Sequence, residues 1–257
     1  MRRTLQARVL CLAVLPCLLA ASIVDAQTCT PPETMKSRLQ GNPDSAALTD
    51  LGVWFAEQKN FACAANAFAT SLQKDPTQKD VAHVAFMFGV SLYYTNDGKE
   101  AIPALQEAEK LGYRDIKIHL ILAEALDASH ATADAEAEWR AALEIDPEYT
   151  GALDNLSSDL IADGDFKGVI ELLDSPRLQP QRTPQQCLNF AAAYAKTDRF
   201  EEAARILRDG LNTAPDSMPL ADALASLLKR LGRNEESAVV LEVARARQAN
   251  DPQTAFH

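Results

Sequence analysis

The sequence is poor in the residues on which enzymes and metalloproteins depend. Its 257 residues include only four histidines, and they contain no HExxH, GxSxG, paired CxxC or Gly-rich phosphate-binding motif. No spacing brings three metal ligands onto one face of a helix. We therefore predict a non-enzymatic protein that has no catalytic residues and that holds no cofactor and no metal ion.

Basic residues are also outnumbered in this chain. Its 25 Lys and Arg residues stand against 36 Asp and Glu residues, which gives a formal net charge of −11. A surface that binds nucleic acid needs clustered Lys and Arg beside the phosphates. The composition therefore argues against a nucleic-acid partner.

Glycine is sparse, and β-branched residues never alternate with polar residues in the way that a half-buried strand requires. Ala and Leu dominate instead, and both residues favour helices. The composition therefore predicts an all-α protein.

The first 26 residues have the layout of a secretory signal peptide. A basic start with Arg2 and Arg3 precedes an almost wholly apolar run at residues 9–24, and small residues precede Gln27. An uncleaved membrane anchor is the alternative, although the apolar run is short for a span. We expect residues 1–26 to be removed, and the exported protein to be periplasmic or secreted without binding a membrane directly.

Export changes how the five cysteines are interpreted. Cys11 and Cys17 leave with the signal peptide, so three cysteines enter an oxidising compartment, where disulfides form. Cys187 falls on an apolar face and is interpreted as a small buried residue. Cys29 and Cys63 remain as the pair that we predict to form a disulfide.

A linker or cap at residues 27–44 precedes the main domain. Pro31, Pro32 and the Gly-Asn-Pro turn at residues 41–43 prevent one long helix through this segment. A short helix at residues 33–40 is compatible with them, and either Ser45 or Asp44 supplies an N-cap oxygen for the helix that follows.

The rest of the chain repeats one helix-turn-helix pattern, which is clearest at residues 47–76. Apolar or small residues recur at helical spacing on both sides of a polar break at residues 58–60, and Pro76 closes the unit. The residues that carry the pattern are Leu48, Leu51, Gly52, Phe55, Ala64, Phe68 and Ser71. The small residue at Gly52 returns as Gly89, Ala123, Ser157, Ala191 and Ala225. From Gly89 to Ala225, each of these residues follows the one before it by 34 residues.

This pattern resembles the tetratricopeptide repeat (TPR) family, whose period is about 34 residues. The resemblance covers residues 45–251 and implies a right-handed α-solenoid of about six helix-turn-helix units. The units lie near residues 45–78, 82–115, 116–149, 150–183, 184–217 and 218–251, followed by a tail at residues 252–257. The step from Gly52 to Gly89 is three residues longer than the others, which indicates a small insertion at residues 78–80.

The resemblance also implies that the first helix of each unit lines a concave groove, where peptides or partner helices dock. The candidate groove residues are His83, Phe86, Met87, Val90, Tyr94, Lys117, Leu120, Ile121, Glu124, Asp154, Asn155, Ser158, Asn189, Lys196, Asp222 and Lys229. The apolar members from Phe86 to Ile121 either form one exposed patch or pack on one another or under residues 27–44. Thr49 and Val53 stand where chaperone-type relatives bind a terminal carboxylate, so capture of an acidic tail is not expected.

The scarce histidines and the acidic runs have structural interpretations. His119 occupies the place of Leu48 and is expected to be a partly buried packing residue, whereas His130 lies in a turn. The run Glu136-Ala137-Glu138 begins a second helix, where negative charge favours the helix dipole.

These observations predict a scaffold or assembly adaptor that binds a protein or peptide partner. The resemblance implies a bacterial source and a place in the cell envelope. One alternative is a protein that encloses a small apolar ligand in its superhelix. Another is a homo-oligomer through the last repeat, whose final helix carries Val239 and Val243, although a monomer is favoured because scattered apolar surface residues are normal.

Overall fold

The computed structural model describes residues 29–95 and 98–249. The predicted signal peptide and the tail at 252–257 lie outside the described residues. The α-helices are α1 (Glu33–Leu39), α2 (Ser45–Glu57), α3 (Phe61–Lys74), α4 (Val81–Tyr94), α5 (Gly98–Lys110), α6 (Ile116–Ala128), α7 (Thr132–Ile145), α8 (Thr150–Asp163), α9 (Phe166–Leu173), α10 (Pro184–Lys196), α11 (Phe200–Thr213), α12 (Met218–Arg230) and α13 (Asn234–Ala249), with a 3₁₀ helix at Gln179–Gln181.

From α2 onward the helices alternate as first and second members of pairs that pack in chain order. The six pairs are α2/α3, α4/α5, α6/α7, α8/α9, α10/α11 and α12/α13. No strand occurs in the part of the chain that the structure describes. The predicted all-α helical-repeat solenoid is confirmed.

Local sequence signals explain where several helices begin. A side-chain oxygen at the N-cap accepts a hydrogen bond from a backbone N–H of the first turn, which would otherwise lack a partner. The residues that do so are Asp44, Asn60, Asp115, Asp165 and Thr183. At Thr183 the bond is reciprocal, because Gln186 also bonds back to the Thr183 backbone.

Two glycines allow the helices of the first two units to approach closely. A Cβ atom at Gly52 would lie 2.6 Å from Cε1 of Phe68, and one at Gly89 would lie 2.7 Å from Cγ of Leu105. Glycine in mid-helix costs about 1 kcal/mol relative to alanine. Close packing of Phe68 and Leu105, which are both fully buried, compensates for that cost.

The fourth unit has a short second helix, and Arg182 donates a hydrogen bond to a carbonyl at its end. Helix α9 has only eight residues, and Nη2 of Arg182 donates to the carbonyl oxygen of Leu173 at its end, at 2.7 Å. The guanidinium group also lies 4.8 Å from the centre of the Phe190 ring. Arg182 therefore joins the irregular segment after α9 to the next unit.

The N-terminal segment is attached to the first unit by a disulfide between Cys29 and Cys63, whose Cα atoms lie 5.5 Å apart. Helix α1 buries none of its residues, and Arg38 pairs with Asp50 of α2 at 2.7 Å. Cys187 is a free, buried thiol, whose pKa is raised chiefly by burial. The segment before α2 therefore covers the first unit with little apolar contact of its own.

Candidate interaction surface

The first helices of the pairs form the inner side of the solenoid. Most consecutive first helices contact one another more extensively than consecutive second helices do, namely α2 and α4, α4 and α6, α8 and α10, and α10 and α12. In a curved stack, the helices that lie closer together are those on the concave side. The inner face is therefore the surface formed by α2, α4, α6, α8, α10 and α12.

Phe86 does not belong to an exposed patch on the inner face, although the sequence places it among the candidate groove residues. Its side chain is 5% exposed, and its ring is stacked on Tyr113 with the ring centres 4.2 Å apart. Tyr113 stands where the repeat pattern usually has proline, and its ring covers Phe86. The sequence left open whether the apolar residues form an exposed patch or are covered by other parts of the chain. Phe86 is covered.

The other predicted apolar residues stay partly accessible. Met87, Val90, Leu120 and Ile121 are half-buried. The predicted charged and polar residues around them are exposed, namely His83, Lys117 and Glu124. On α4 and α6 the inner face thus combines half-buried apolar side chains with an exposed polar border.

Tyr94 is the most exposed aromatic residue of this region, with 56% of its surface accessible. Its ring is stacked on Phe61 at 4.7 Å between the ring centres, which fixes its orientation. The neighbouring Tyr93 hydroxyl donates to Oε2 of Glu124 at 2.9 Å and so links α4 to α6. Burial, followed by this hydrogen bond, raises the pKa of Tyr93 to about 12, so it remains a donor at neutral pH.

Asn189 is the second predicted groove residue that is buried rather than accessible. Its Nδ2 donates to the hydroxyl oxygens of Ser157 and Ser158, at 2.9 and 3.0 Å. These bonds hold α10 against α8, so Asn189 serves the packing between units. Asp154, half-buried, accepts from the Thr183 hydroxyl at 2.9 Å, and Asn155 and Lys196 are exposed.

A hydrogen-bonded pair of His119 and Glu138 between α6 and α7 was not predicted from the sequence. Nδ1 of His119 lies 2.7 Å from Oε2 of Glu138, and both side chains are largely buried. The hydrogen bond that Glu138 accepts from His119 raises the pKa of His119 above its ordinary value, against the opposing effect of burial. The interpretation of His119 as a partly buried packing residue lacked this partner, because Glu138 was assigned to the helix dipole.

Acidic side chains gather where α6, α7 and α8 meet. Burial raises the pKa of Asp159 to about 6, and the charges of Asp127, Glu136 and Asp163 raise it further. The buried Oδ2 atom of Asp159 has no hydrogen-bond partner. Among the described residues, no group of His, Cys, Asp and Glu is arranged to hold a metal ion.

Within residues 29–95 and 98–249, no helix has both the length and the apolar character to cross a bilayer.

Comparison with known proteins gives structural matches alone. No family model and no curated protein matches the chain. It is similar to the structure of a TPR protein from Parabacteroides merdae ATCC 43184, with 17% identity, 77% of each chain covered and a TM-score of 0.60.

Two further structures extend this likeness. YrrB, described as a TPR protein with an unusual peptide-binding site, is 16% identical over 74% of this chain and 96% of its own, with a TM-score of 0.59. MamA (residues 41 to the end) from Desulfovibrio magneticus RS-1 is 14% identical over 66% and 97%, with a TM-score of 0.56. At these identities the likeness shows the fold, and the chain has the fold of a tetratricopeptide repeat solenoid.

Proposed function

We propose that this protein is a non-enzymatic scaffold that binds a protein or peptide partner through the inner face of α4 and α6. The observation that carries the proposal is the set of half-buried apolar residues Met87, Val90, Leu120 and Ile121 inside an exposed polar border. Interfaces commonly have this arrangement, in which an apolar centre is surrounded by a polar rim.

Tyr94 is the best candidate for a residue that contributes strongly to the binding energy. Tyrosine is enriched at such positions, because its ring offers a large contact area and its hydroxyl a hydrogen bond. Stacking on Phe61 already orders the exposed ring, so a partner would pay little further entropy to fix it.

The fold supports a binding role, and the peptide-binding site described for YrrB occurs on the same fold at a TM-score of 0.59. Fold alone does not determine function, and the proposal therefore rests on the inner-face residues of this chain. The apolar centre, Met87, Val90, Leu120 and Ile121, has no nucleophilic side chain, which favours binding over catalysis.

We further propose that the protein acts in the cell envelope after export. The basic and apolar start of the sequence supports this location. The Cys29–Cys63 disulfide supports it as well, because disulfides persist in oxidising compartments and are rare in the cytosol.

The test begins with a photo-crosslinking residue at Ile121 in the native envelope, and with the same residue at Gln106 of α5 as a control position. A partner captured at Ile121 alone is then purified, and its affinity is measured by calorimetry. We expect Tyr94→Ala combined with Ile121→Asp to weaken binding at least about ten-fold, the loss of one well-placed contact or more. Gln106→Ala is expected to leave the affinity unchanged.

Two results would overturn the proposal. The first is a partner whose affinity is the same for the wild type and for the Tyr94 and Ile121 double variant. The second is equal capture at Ile121 and Gln106, which would place the contact outside the inner face.

A further inference from the structure

A second accessible surface lies between the second helices of the first two units. Helices α3 and α5 form the walls of an apolar trough of about 640 Å³, and α4 forms its floor. The floor residues are Val81, Ala85, Phe88 and Leu92. Because α3 and α5 are second helices, this α3–α5 trough lies on the side opposite to the inner face.

Two features of the sequence coincide with the trough. Ala85 lies four residues before Gly89, and the equivalent places in the other units hold Leu48, His119, Leu153, Cys187 and Ala221. The place therefore has a small residue in some units and a large one in others. The second unit combines a small residue there with the three-residue insertion at 78–80, which no other step between units has.

The two walls of the trough differ in charge. The α5 wall presents Lys99 at one end and two carboxylates, Glu100 and Glu107, so its net charge is negative. The two carboxylates are seven residues apart and therefore lie on one side of the helix about 10 Å from each other. Oε2 of Glu107 also lies 3.8 Å from Nζ of Lys110. An exposed ion pair at that distance contributes little to stability. The α3 wall, formed by Ala69, Leu72 and Gln73, has no charge.

The α5 wall also offers a backbone acceptor. Pro103 lies within α5 and lines the trough. Because proline has no N–H, it cannot bond to the carbonyl of Lys99 one turn earlier. This part of the wall thus adds an acceptor to the two carboxylates and favours a partner that brings donors or cations.

The trough is long as well as apolar. Along α5 its lining extends from Lys99 to Leu111, which is about 18 Å or three helical turns. A volume of this size also suits a small apolar ligand. A row of carboxylates at a spacing of two turns, beside an uncharged opposite wall, instead matches the side chains on one flank of a helix.

We propose that the α3–α5 trough docks an amphipathic helix of a protein partner. The helix inserts an apolar side chain above Ala85 and places cations along one flank opposite Glu100 and Glu107. This inference rests on the proposed binding role but assigns a separate surface to it, so that the protein contacts partners on both sides of its first two units.

The experiment uses the full mature chain and two synthetic alanine-based peptides of about four helical turns. Both peptides carry the same row of leucines, and they differ in whether two lysines or two glutamates, one heptad apart, occupy one flank. Fluorescence anisotropy measures their affinity. We expect the lysine peptide to bind at least about ten-fold more tightly than the glutamate peptide.

Three variants of the protein separate the parts of the proposal. Ala85→Leu fills the trough and is expected to weaken binding of the lysine peptide at least about ten-fold. Glu100→Lys with Glu107→Lys is expected to reverse the preference between the peptides. Asp134→Lys with Glu144→Lys on α7 makes the same change in net charge elsewhere and is expected to preserve the preference. Because Glu100 and Glu107 are not buried, their variant tests the proposal even if Ala85→Leu does not fold.

The proposal is overturned if the lysine peptide does not bind, or if both peptides bind equally and the Glu100 and Glu107 variant changes neither. A small apolar molecule that co-purifies with the wild type but not with Ala85→Leu, detected by native mass spectrometry, would assign the trough to a ligand instead. None of these results involves Tyr94 or Ile121, so failure here leaves the test of the inner face independent.

Discussion

The junction between the first two units and the junction between the fourth and fifth units follow one repeat pattern but are packed differently. At the first, Ala85 and the insertion at 78–80 leave an apolar trough between α3 and α5. At the second, the short helix α9 is compensated by Arg182, whose side chain reaches the end of α9 and the Phe190 ring. The repeat thus tolerates both an insertion between units and a shortened second helix. Whether other side chains fill the resulting space decides whether a surface is left for a partner.

The largest difference is expected for truncation of a leucine at each junction. Leu156 is fully buried on α8, whereas Leu111 at the edge of the trough is 40% exposed. We predict that Leu156→Ala lowers the free energy of unfolding by about 2–5 kcal/mol. Leu111→Ala should change it by less than about 0.5 kcal/mol. Urea denaturation measures both, and equal midpoints would contradict the assignment of a closed and an open junction.

Removal of the Arg182 side-chain charge should have the next largest effect. Arg182→Gln leaves the carbonyl of Leu173 without its charged donor and loses the contact with Phe190. We expect a loss of about 2 kcal/mol in the free energy of unfolding. Arg177→Gln, an exposed change in the same segment, is the control and should alter stability by less than about 0.5 kcal/mol. Similar losses for the two variants would show that Arg182 does not hold α9.

Enlarging an alanine at each junction should give effects of opposite sign. Ala152 is fully buried in the packed core around α8, so Ala152→Leu should cost about 1–3 kcal/mol by overpacking. Ala85→Leu extends into the trough and should be neutral or stabilising by up to about 1 kcal/mol. Thermal unfolding of the two variants decides this, and a destabilised Ala85→Leu would mean that the trough cannot accept a side chain.

The smallest predicted effect depends on pH and concerns Asp159 in α8. Its folded-state pKa of about 6 lies above the unfolded value, so the folded protein binds the proton more tightly and stability falls as the pH rises through this interval. We predict that Asp159→Asn stabilises the protein by about 1 kcal/mol at pH 7, after allowance for solvent screening. The gain should disappear near pH 4, where Asp159 is protonated in the folded state. A gain that is the same at both pH values would exclude this cause.

The repeat pattern was sufficient to predict the fold because its signals are local. Gly52 and Phe68, or Gly89 and Leu105, lie in adjacent helices whose spacing the period fixes, and their contact follows from residue size. The short α9 was likewise predictable from the proline after it.

The candidate site was predicted less well, because the exposure of its residues depends on neighbours that are distant in the sequence. Phe86 is covered by Tyr113, which belongs to the end of its own unit, and Asn189 is held by two serines of the preceding unit. The α3–α5 trough depends on distances between helices that no single segment specifies. The small residue at position 85 combined with the insertion at 78–80, which no other step between units has, was the signal in the sequence that pointed to it.

The most direct test of the central claim is hydrogen–deuterium exchange of the protein with and without the partner captured at Ile121. The account predicts that binding slows exchange in α4 and α6, around Tyr94 and Ile121, and leaves α7 and α13 unchanged. Slower exchange confined to second helices or to α13, with α4 and α6 unaffected, would contradict binding through the inner face.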